Sequence, residues 1–302
     1  MGAALLCLLL AGCQQGAGCD LVKAAQVPLE PMNPLFAVPM TIGGHKLKIL
    51  LDTGAQKSLL DEGTVRRLQI PQDGRTVTII VGVAGGAPKF DANVDGMLLG
   101  DAPLSVDRMP VSTTGIPGID GVLGLDSLRD YDLDIDGPNR TLTLYRVRWC
   151  DRADPPWNEA AAPIDGIGTR MGWMQVPFEI DGVAGTALVD TGASLTTIAP
   201  RMARRLGLTD QAMANDRILK LHVAASEDIQ ARVHRFETIR IGTMTQRDAN
   251  IVVLSKDPPQ VGDSRSFGDG AIGQDFLGGR HMWFSIRTGR LYLSTNAAAP
   301  GH

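Results

Sequence analysis

The chain has 302 residues, 44% of them hydrophobic, with 35 glycines and 18 prolines, a composition that suits one soluble, β-rich body with many turns. Its formal net charge of −4 provides no basic surface for nucleic acid, so we exclude a nucleic-acid-binding function. The five histidines lack the spacing of paired metal ligands, and we expect neither a metal nor another cofactor.

The N-terminal segment has the pattern of a secretion signal. Residues 3–10 form an apolar run too short to span a bilayer, and Leu10-Ala11-Gly12-Cys13 resembles a bacterial lipoprotein cleavage site. This pattern predicts a signal peptide over residues 1–12, a lipid anchor on Cys13, and an irregular tether over residues 13–32. The alternative is a buried N-terminal segment.

The expected location follows from the lipoprotein pattern. Gln14, directly after the lipidated cysteine, is associated with delivery to the outer rather than the inner membrane. We therefore expect the protein on the periplasmic face of a bacterial cell envelope, anchored to the membrane through Cys13 but not spanning it.

The first half of the chain contains an acidic tripeptide at the end of an apolar segment. Residues 36–51 are two short apolar stretches around a glycine-containing turn, which predicts a hairpin that runs into Asp52-Thr53-Gly54. A carboxylate is costly at the end of a buried strand unless it is paired or shifted to its neutral form. A short helix is predicted within residues 61–70.

A glycine-rich hairpin follows. Residues 76–90 alternate early, are interrupted by Gly82, Gly85 and Gly86, and then resume the strand pattern. These glycines predict a hairpin whose tip moves over a cleft, which we call the flap. An ordinary surface hairpin is the alternative interpretation.

The second half of the chain repeats the first. Residues 174–189 repeat the hairpin pattern, Asp190-Thr191-Gly192 repeats the tripeptide, and residues 269–277 match residues 120–128. Matched elements in the same order indicate a duplicated unit. We predict lobes at residues 33–147 and 167–295, a proline-rich linker at 148–166 and a tail at 296–302.

Together these motifs resemble those of aspartic proteases. An Asp-Thr-Gly-Ala followed later by two apolar residues and glycine is similar to one lobe of a retropepsin-type enzyme, and two such lobes in one chain resemble the pepsin-like arrangement. The resemblance covers nearly all of residues 33–296. It implies an all-β fold of two similar lobes related by pseudo-two-fold symmetry, with few short helices and the active site in the cleft between the lobes. We expect a monomer.

The resemblance also implies the site residues. Asp52 and Asp190 would form a catalytic pair that activates a water and hydrolyses a peptide or protein substrate held in an extended conformation. The threonines of the tripeptides would cross-link the two loops, and the glycines would allow the backbone to approach the carboxylates. These loop-support residues are Thr53, Gly54, Thr191 and Gly192.

Two further points concern the type of enzyme. Ala55 and Ala193 stand where pepsins have serine, so both loops resemble the retropepsin version, and we predict a less acidic working range than that of pepsin. The alternative function is a catalytically silent, pepsin-like module that binds peptides or cell-envelope proteins. The presence of both aspartates and both glycines favours the enzyme.

The cysteines leave a redox question open. With Cys13 lipidated, Cys19 and Cys150 remain in the mature chain. They either form a disulfide between the tether and the linker in an oxidising periplasm, or stay as two thiols.

Overall fold

The fold is described from a computed structural model, which covers residues 19–82, 85–149, 153–158, 160–168, 173–221, 228–258 and 267–295. These residues form many short strands, four short helices and three sheets. The predicted all-β fold of two lobes is confirmed. None of the helices in these ranges is long and apolar enough to cross a membrane.

The elements of the first half are, in chain order, β1 (Asp20–Pro28), β2 (Glu30–Met32), β3 (Leu35–Ile42), β4 (His45–Leu51), β5 (Leu59–Asp61), α1 (Glu62–Leu68), β6 (Gln72–Gly82), β7 (Gly85–Asn93), β8 (Leu98–Leu99), β9 (Ala102–Pro103), β10 (Arg108–Ser112), β11 (Gly121–Leu123), α2 (Leu125–Leu128), β12 (Asp132–Asp136) and β13 (Thr141–Arg148).

The elements of the second half are β14 (Pro163–Asp165), β15 (Ile167–Gly168), β16 (Met174–Ile180), β17 (Val183–Val189), β18 (Thr197–Ile198), α3 (Pro200–Arg205), β19 (Arg217–Leu221), β20 (Ile229–Ile241), β21 (Met244–Leu254), β22 (Gly270–Ile272), α4 (Gln274–Leu277), β23 (His281–Ser285) and β24 (Arg290–Leu293).

The two lobe sheets share a seven-strand order. The order is β6-β7-β10-β5-β11-β4-β3 in the N-terminal lobe and β19-β20-β21-β18-β22-β17-β16 in the C-terminal lobe. Strand directions agree as well, since β4 and β11 are parallel, as are β17 and β22. The repeat in the sequence therefore corresponds to a repeated sheet.

The hairpins that lead to the two tripeptides have matching turns. Gly43 and Gly44 connect β3 to β4, and Asp181 and Gly182 connect β16 to β17, all four with positive φ. A two-residue hairpin loop of type I′ has positive φ at both positions, and its twist matches that of the flanking strands. Each turn thus fixes the register of the strand that ends at an aspartate.

A third sheet joins the lobes. Its order is β1-β13-β12-β23-β24-β14, and β12 of the first half pairs with β23 of the second in antiparallel register. Leu133 lies opposite Phe284 in this pairing, and both side chains are buried. The lobes are therefore connected by sheet hydrogen bonds as well as by the linker.

The prediction of an irregular tether was wrong for residues 20–32. Strand β1 pairs with β13 from Asp20 opposite Arg148 to Pro28 opposite Thr141, and β2 pairs with β3. The physical reason is an alternating pattern in which Ala25, Val27 and Leu29 are buried, so this segment covers an edge of the shared sheet. The end of the predicted linker is also a strand and not irregular, since β14 pairs with β24 at the other edge of the shared sheet.

Cys19 is disulfide-bonded, so the interpretation of two free thiols was wrong for this residue. Cys150 and Cys13 both lie outside the described residues. The pairing of Cys19 with Cys150 and the lipidation of Cys13 stay predictions.

Candidate active site

Each aspartate of the tripeptides stands at the end of a central, buried strand. The backbone N–H of Asp52 donates to the carbonyl of Leu123 at 3.1 Å, and that of Asp190 donates to the carbonyl of Ile272 at the same distance. Leu123 ends β11 and Ile272 ends β22, the strands that run parallel to β4 and β17. Equivalent strand ends thus hold the two aspartates, one in each lobe.

The loops after these strands turn back onto the carboxylates. Oδ1 of Asp52 accepts the backbone N–H groups of Gly54 at 2.8 Å and Ala55 at 2.9 Å, and Oδ1 of Asp190 accepts that of Gly192 at 2.9 Å. Hydrogen bonds from backbone amides favour the ionised form of a carboxyl group. As whole residues Asp52 and Asp190 are partly exposed, while their carboxyl groups are surrounded by protein atoms.

The threonines of the tripeptides connect the lobes. The N–H of Thr53 donates to Oγ1 of Thr191, and the N–H of Thr191 donates to Oγ1 of Thr53, each at 3.0 Å. The two hydroxyls then donate to the carbonyls of Val189 and Leu51, at 2.8 and 2.9 Å. Both threonine side chains are buried, so these four bonds lie in a dry position and hold the two loops in register.

The glycines of the tripeptides bring the carboxyl groups together. A Cβ placed on Gly54 would lie about 2.5 Å from both carboxyl oxygens of Asp190, and a Cβ on Gly192 would overlap the carboxyl group of Asp52 in the same way. In each lobe a glycine without a side chain therefore packs against the carboxyl group of the other lobe. In this arrangement the carboxyls of Asp52 and Asp190 are hydrogen-bonded to each other.

The environment raises the pKa of both carboxyls. Burial is the main cause for Asp190, whose pKa lies well above its ordinary value, and the charge of Asp52 adds to the effect. Burial also raises the pKa of Asp52, against hydrogen bonds from Asp190, Ala55 and Gly54. Because one carboxyl must stay protonated for the other to ionise beside it, the pair holds a proton at a pH at which an isolated aspartate would lose it.

Comparison with known proteins agrees with this geometry. A family model described as Aspartyl protease matches residues 38–127 and 176–276, more than half of the chain, and each matched stretch contains one Asp-Thr-Gly loop. The chain belongs to the aspartyl protease family.

Solved structures share the fold of this aspartyl protease. The chain is similar to the aspartic proteinase from Irpex lacteus, with a TM-score of 0.55 and 13% sequence identity over 90% of this chain and 97% of that one. No curated protein matches the sequence at a significant level. At this identity the likeness shows the fold alone.

Two further aspartates position the loops that carry Asp52 and Asp190, and the sequence motifs did not predict this role. Oδ1 of Asp126 accepts both the N–H and the hydroxyl of Ser58, each at 2.8 Å, and Oδ1 of Asp275 accepts those of Thr196 at 2.8 and 2.7 Å. The Ser58 hydroxyl also accepts the N–H of Gly124. Asp126 and Asp275 stand at matching places in residues 120–128 and 269–277. This repetition was the sequence signal that both have a structural role.

The predicted flap is a hairpin of β6 and β7. Gly82 pairs with Gly85 at the last described position, Gly86 pairs with Val81, and residues 83–84 lie outside the described residues. Lower in the hairpin, Ile80 packs with Ala55 against a buried apolar cluster. The flap strands therefore lie beside the loop that carries Asp52.

Away from the two aspartates, the described residues include surface cavities but no metal-ligand cluster. Among the described residues no group of three His, Cys, Asp or Glu side chains is arranged to hold a metal ion. Two surface cavities of about 740 and 520 Å³ flank α3, and neither is lined by Asp52 or Asp190. Ion pairs of Arg201 and Arg205 with Asp269 account for the charge in the larger cavity.

Proposed function

We propose that this protein is an aspartic endopeptidase, which hydrolyses peptide bonds with a water activated between Asp52 and Asp190. The observation that carries the proposal is the contact of the two carboxyl groups across the lobes. Two carboxyls in such contact cannot both ionise, so they share one proton. One member of the pair is then a base and the other an acid at the same pH, as peptide hydrolysis requires.

The reaction follows from that sharing. The ionised carboxyl accepts a proton from the water, whose oxygen attacks the carbonyl carbon, while the protonated carboxyl donates to the carbonyl oxygen. As the tetrahedral diol collapses, the protonated carboxyl donates to the leaving nitrogen, the C–N bond breaks, and one hydroxyl of the diol returns its proton to the ionised carboxyl as the new C=O bond forms. One shared proton remains at the end, and no covalent intermediate forms.

The surroundings of the pair support a peptide substrate in an extended conformation. The flap provides two strands beside the catalytic loop, and the cluster under Ile80 includes Leu50, Ile119 and Val122. An extended peptide presents alternate side chains to such a wall, and an apolar side chain next to the scissile bond would be favoured by burial there.

The proposal is tested by cleavage of a mixed peptide library. Wild type and Asp101→Asn, which changes an exposed aspartate on the same lobe, should cleave alike, whereas Asp52→Asn and Asp190→Asn should each lose about 10²–10⁴-fold in rate. Equal cleavage by all four proteins would refute the aspartic mechanism. A folded wild type that binds peptides without cutting them would instead establish the silent binding module.

We further propose that Cys13 carries a lipid and anchors the enzyme on the periplasmic side of a bacterial envelope. The support is the apolar run ending in Leu10-Ala11-Gly12-Cys13. Mass spectrometry of the N-terminal peptide from membranes should show an acylated Cys13, and Cys13→Ser should move the protein to the soluble fraction. An unmodified Cys13 in the wild-type membrane fraction would contradict the anchor.

A further inference from the structure

The shared sheet ends in an unusually exposed tryptophan. Trp149 follows β13 directly and is 80% exposed, the highest value among the exposed large apolar side chains of the described residues. The other three tryptophans differ, since Trp173 and Trp283 are buried and Trp157 is only partly exposed. An indole left in water loses the favourable burial of its ring, whereas the boundary between lipid and water suits both the ring and its N–H.

The same end of the sheet is where the N-terminal segment leaves the body. Asp20 begins β1 opposite Arg148, the residue before Trp149, and Cys19 is held by a disulfide. Cys13 precedes Cys19 by only six residues, a reach of about 20 Å when fully extended. A lipid on Cys13 would therefore keep this end of the sheet within about 20 Å of the bilayer surface.

The charges around Trp149 complement an anionic surface. Arg146 and Arg148 on β13 are exposed on one face of this end of the sheet, where Asp20 lies opposite Arg148, whereas Lys23 lies opposite Tyr145 on the other face. Basic side chains beside an interfacial aromatic residue are attracted to acidic phospholipid headgroups. The exposure of Trp149, its position near the N-terminal segment and the neighbouring arginines all favour an anionic phospholipid surface as the partner.

We infer that the end of the shared sheet around Trp149 is a membrane-contacting surface, on which the enzyme rests on phosphatidylglycerol-containing bilayers when Cys13 is lipidated. This inference rests on the proposed lipid anchor and not on the proposed peptidase activity. It places the shared sheet, and not the flap, next to the membrane.

The test is fluorescence quenching with the full lipidated chain in phosphatidylethanolamine–phosphatidylglycerol vesicles that contain lipids brominated near the headgroup. Emission should fall relative to unbrominated vesicles for the wild type and should not fall for Trp149→Phe. A matched control adds an exposed tryptophan on the C-terminal lobe, by Ile218→Trp in the Trp149→Phe background, and should also show no quenching. Unquenched Trp149, or equal quenching at both positions, would overturn the inference.

Two measurements separate this test from the other proposals. Mass spectrometry on the same sample shows whether Cys13 is acylated, and an unacylated Cys13 overturns the inference while leaving the peptidase proposal untouched. Cleavage of a soluble peptide should be equal for wild type and Trp149→Phe. Quenching without any peptidase activity would support the membrane surface and refute only the peptidase.

Discussion

At the scale of single residues, the reciprocal contact between glycines and aspartates has the largest consequence for chemistry. Gly54 lies against Asp190 and Gly192 lies against Asp52, so each carboxyl group packs partly against the opposite lobe. Glycine at these positions is required by space across the cleft, since a Cβ would displace the opposite carboxyl.

Gly54→Ala should therefore reduce kcat/KM by about a hundredfold or more, because displacement of a reacting group by about 1 Å costs that much. Its overpacking should also cost about 1–3 kcal/mol of stability. The matched control is Gly74→Ala in β6, where a Cβ meets nothing within 4 Å. Kinetics and thermal unfolding of both variants check this, and normal activity in Gly54→Ala would contradict the tight approach.

The residue after each tripeptide should set the pH range. Ala55 offers only its N–H to Asp52, and a serine there would add a hydroxyl donor that stabilises the ionised form and lowers the pKa of the pair. Since activity needs one ionised carboxyl, Ala55→Ser should move the acidic limb of the pH–rate profile down by about one pH unit. Ala184→Ser, an exposed alanine on β17, should leave the profile unchanged.

The pH–rate profile of the wild type tests the predicted less acidic working range without a mutation. Burial raises the pKa of both carboxyls, so the shared proton is kept toward higher pH, and activity should extend to about pH 6. A rate maximum below about pH 3 with no activity at pH 6 would refute the less acidic range.

At the scale of elements, the loop after each aspartate is attached to the helix that follows the matching strand. In the C-terminal lobe, Thr196 donates twice to Asp275, and its hydroxyl accepts the N–H of Gly273. Burial raises the pKa of Asp275, and the bonds from Thr196 oppose that rise. The connection therefore also favours the ionised form of a buried carboxyl group.

Thr196→Val should cost about 1–3 kcal/mol, because it leaves the buried N–H of Gly273 without its partner and removes one of the hydrogen bonds to Asp275. The cost should be larger at pH 7 than at pH 4, since the lost hydroxyl bond favours the ionised carboxylate, which is the form present at high pH. Chemical denaturation at both pH values checks the sign. Thr245→Val, at an exposed position of β21, is the control and should be neutral at both.

The sequence predicted those elements whose signal is local. The hairpins before Asp52 and Asp190 were predictable from glycine-containing turns between short apolar strands, and α1 from the pattern after the first tripeptide. The contacts of Asp126 and Asp275 were not, because a carboxylate within a short motif shows no preference for one distant hydroxyl over another. The reach of Gly54 to the opposite lobe likewise depends on how the lobes pack.

At the scale of the whole molecule, the shared sheet sets the relation between the lobes. Its outer strands come from segments that look irregular in the sequence, since β1 contains a proline at its end and β14 follows a proline-rich stretch. Edge strands tolerate proline, and their pairing partners are distant in sequence, so local patterns could not reveal them. This is why the predicted tether was too long.

Val27→Asp tests the role of β1. A charge at this buried position should cost about 2–4 kcal/mol, as an unpaired charge in a core does, whereas Gln26→Asp on the exposed face of the same strand should cost little. Thermal unfolding of the two variants decides the matter. Equal stability would mean that the segment behaves as a loose tether after all.

The contact of the two carboxyl groups has a consequence for measurement as well as for catalysis. Their raised pKa values exist only while the lobes stay closed enough for Asp52 and Asp190 to touch. Any event that parts the lobes lets both groups ionise and releases the shared proton. Calorimetry in buffers of different ionisation enthalpy measures proton uptake or release at constant pH. This quantity would therefore report how far the cleft between the lobes has opened.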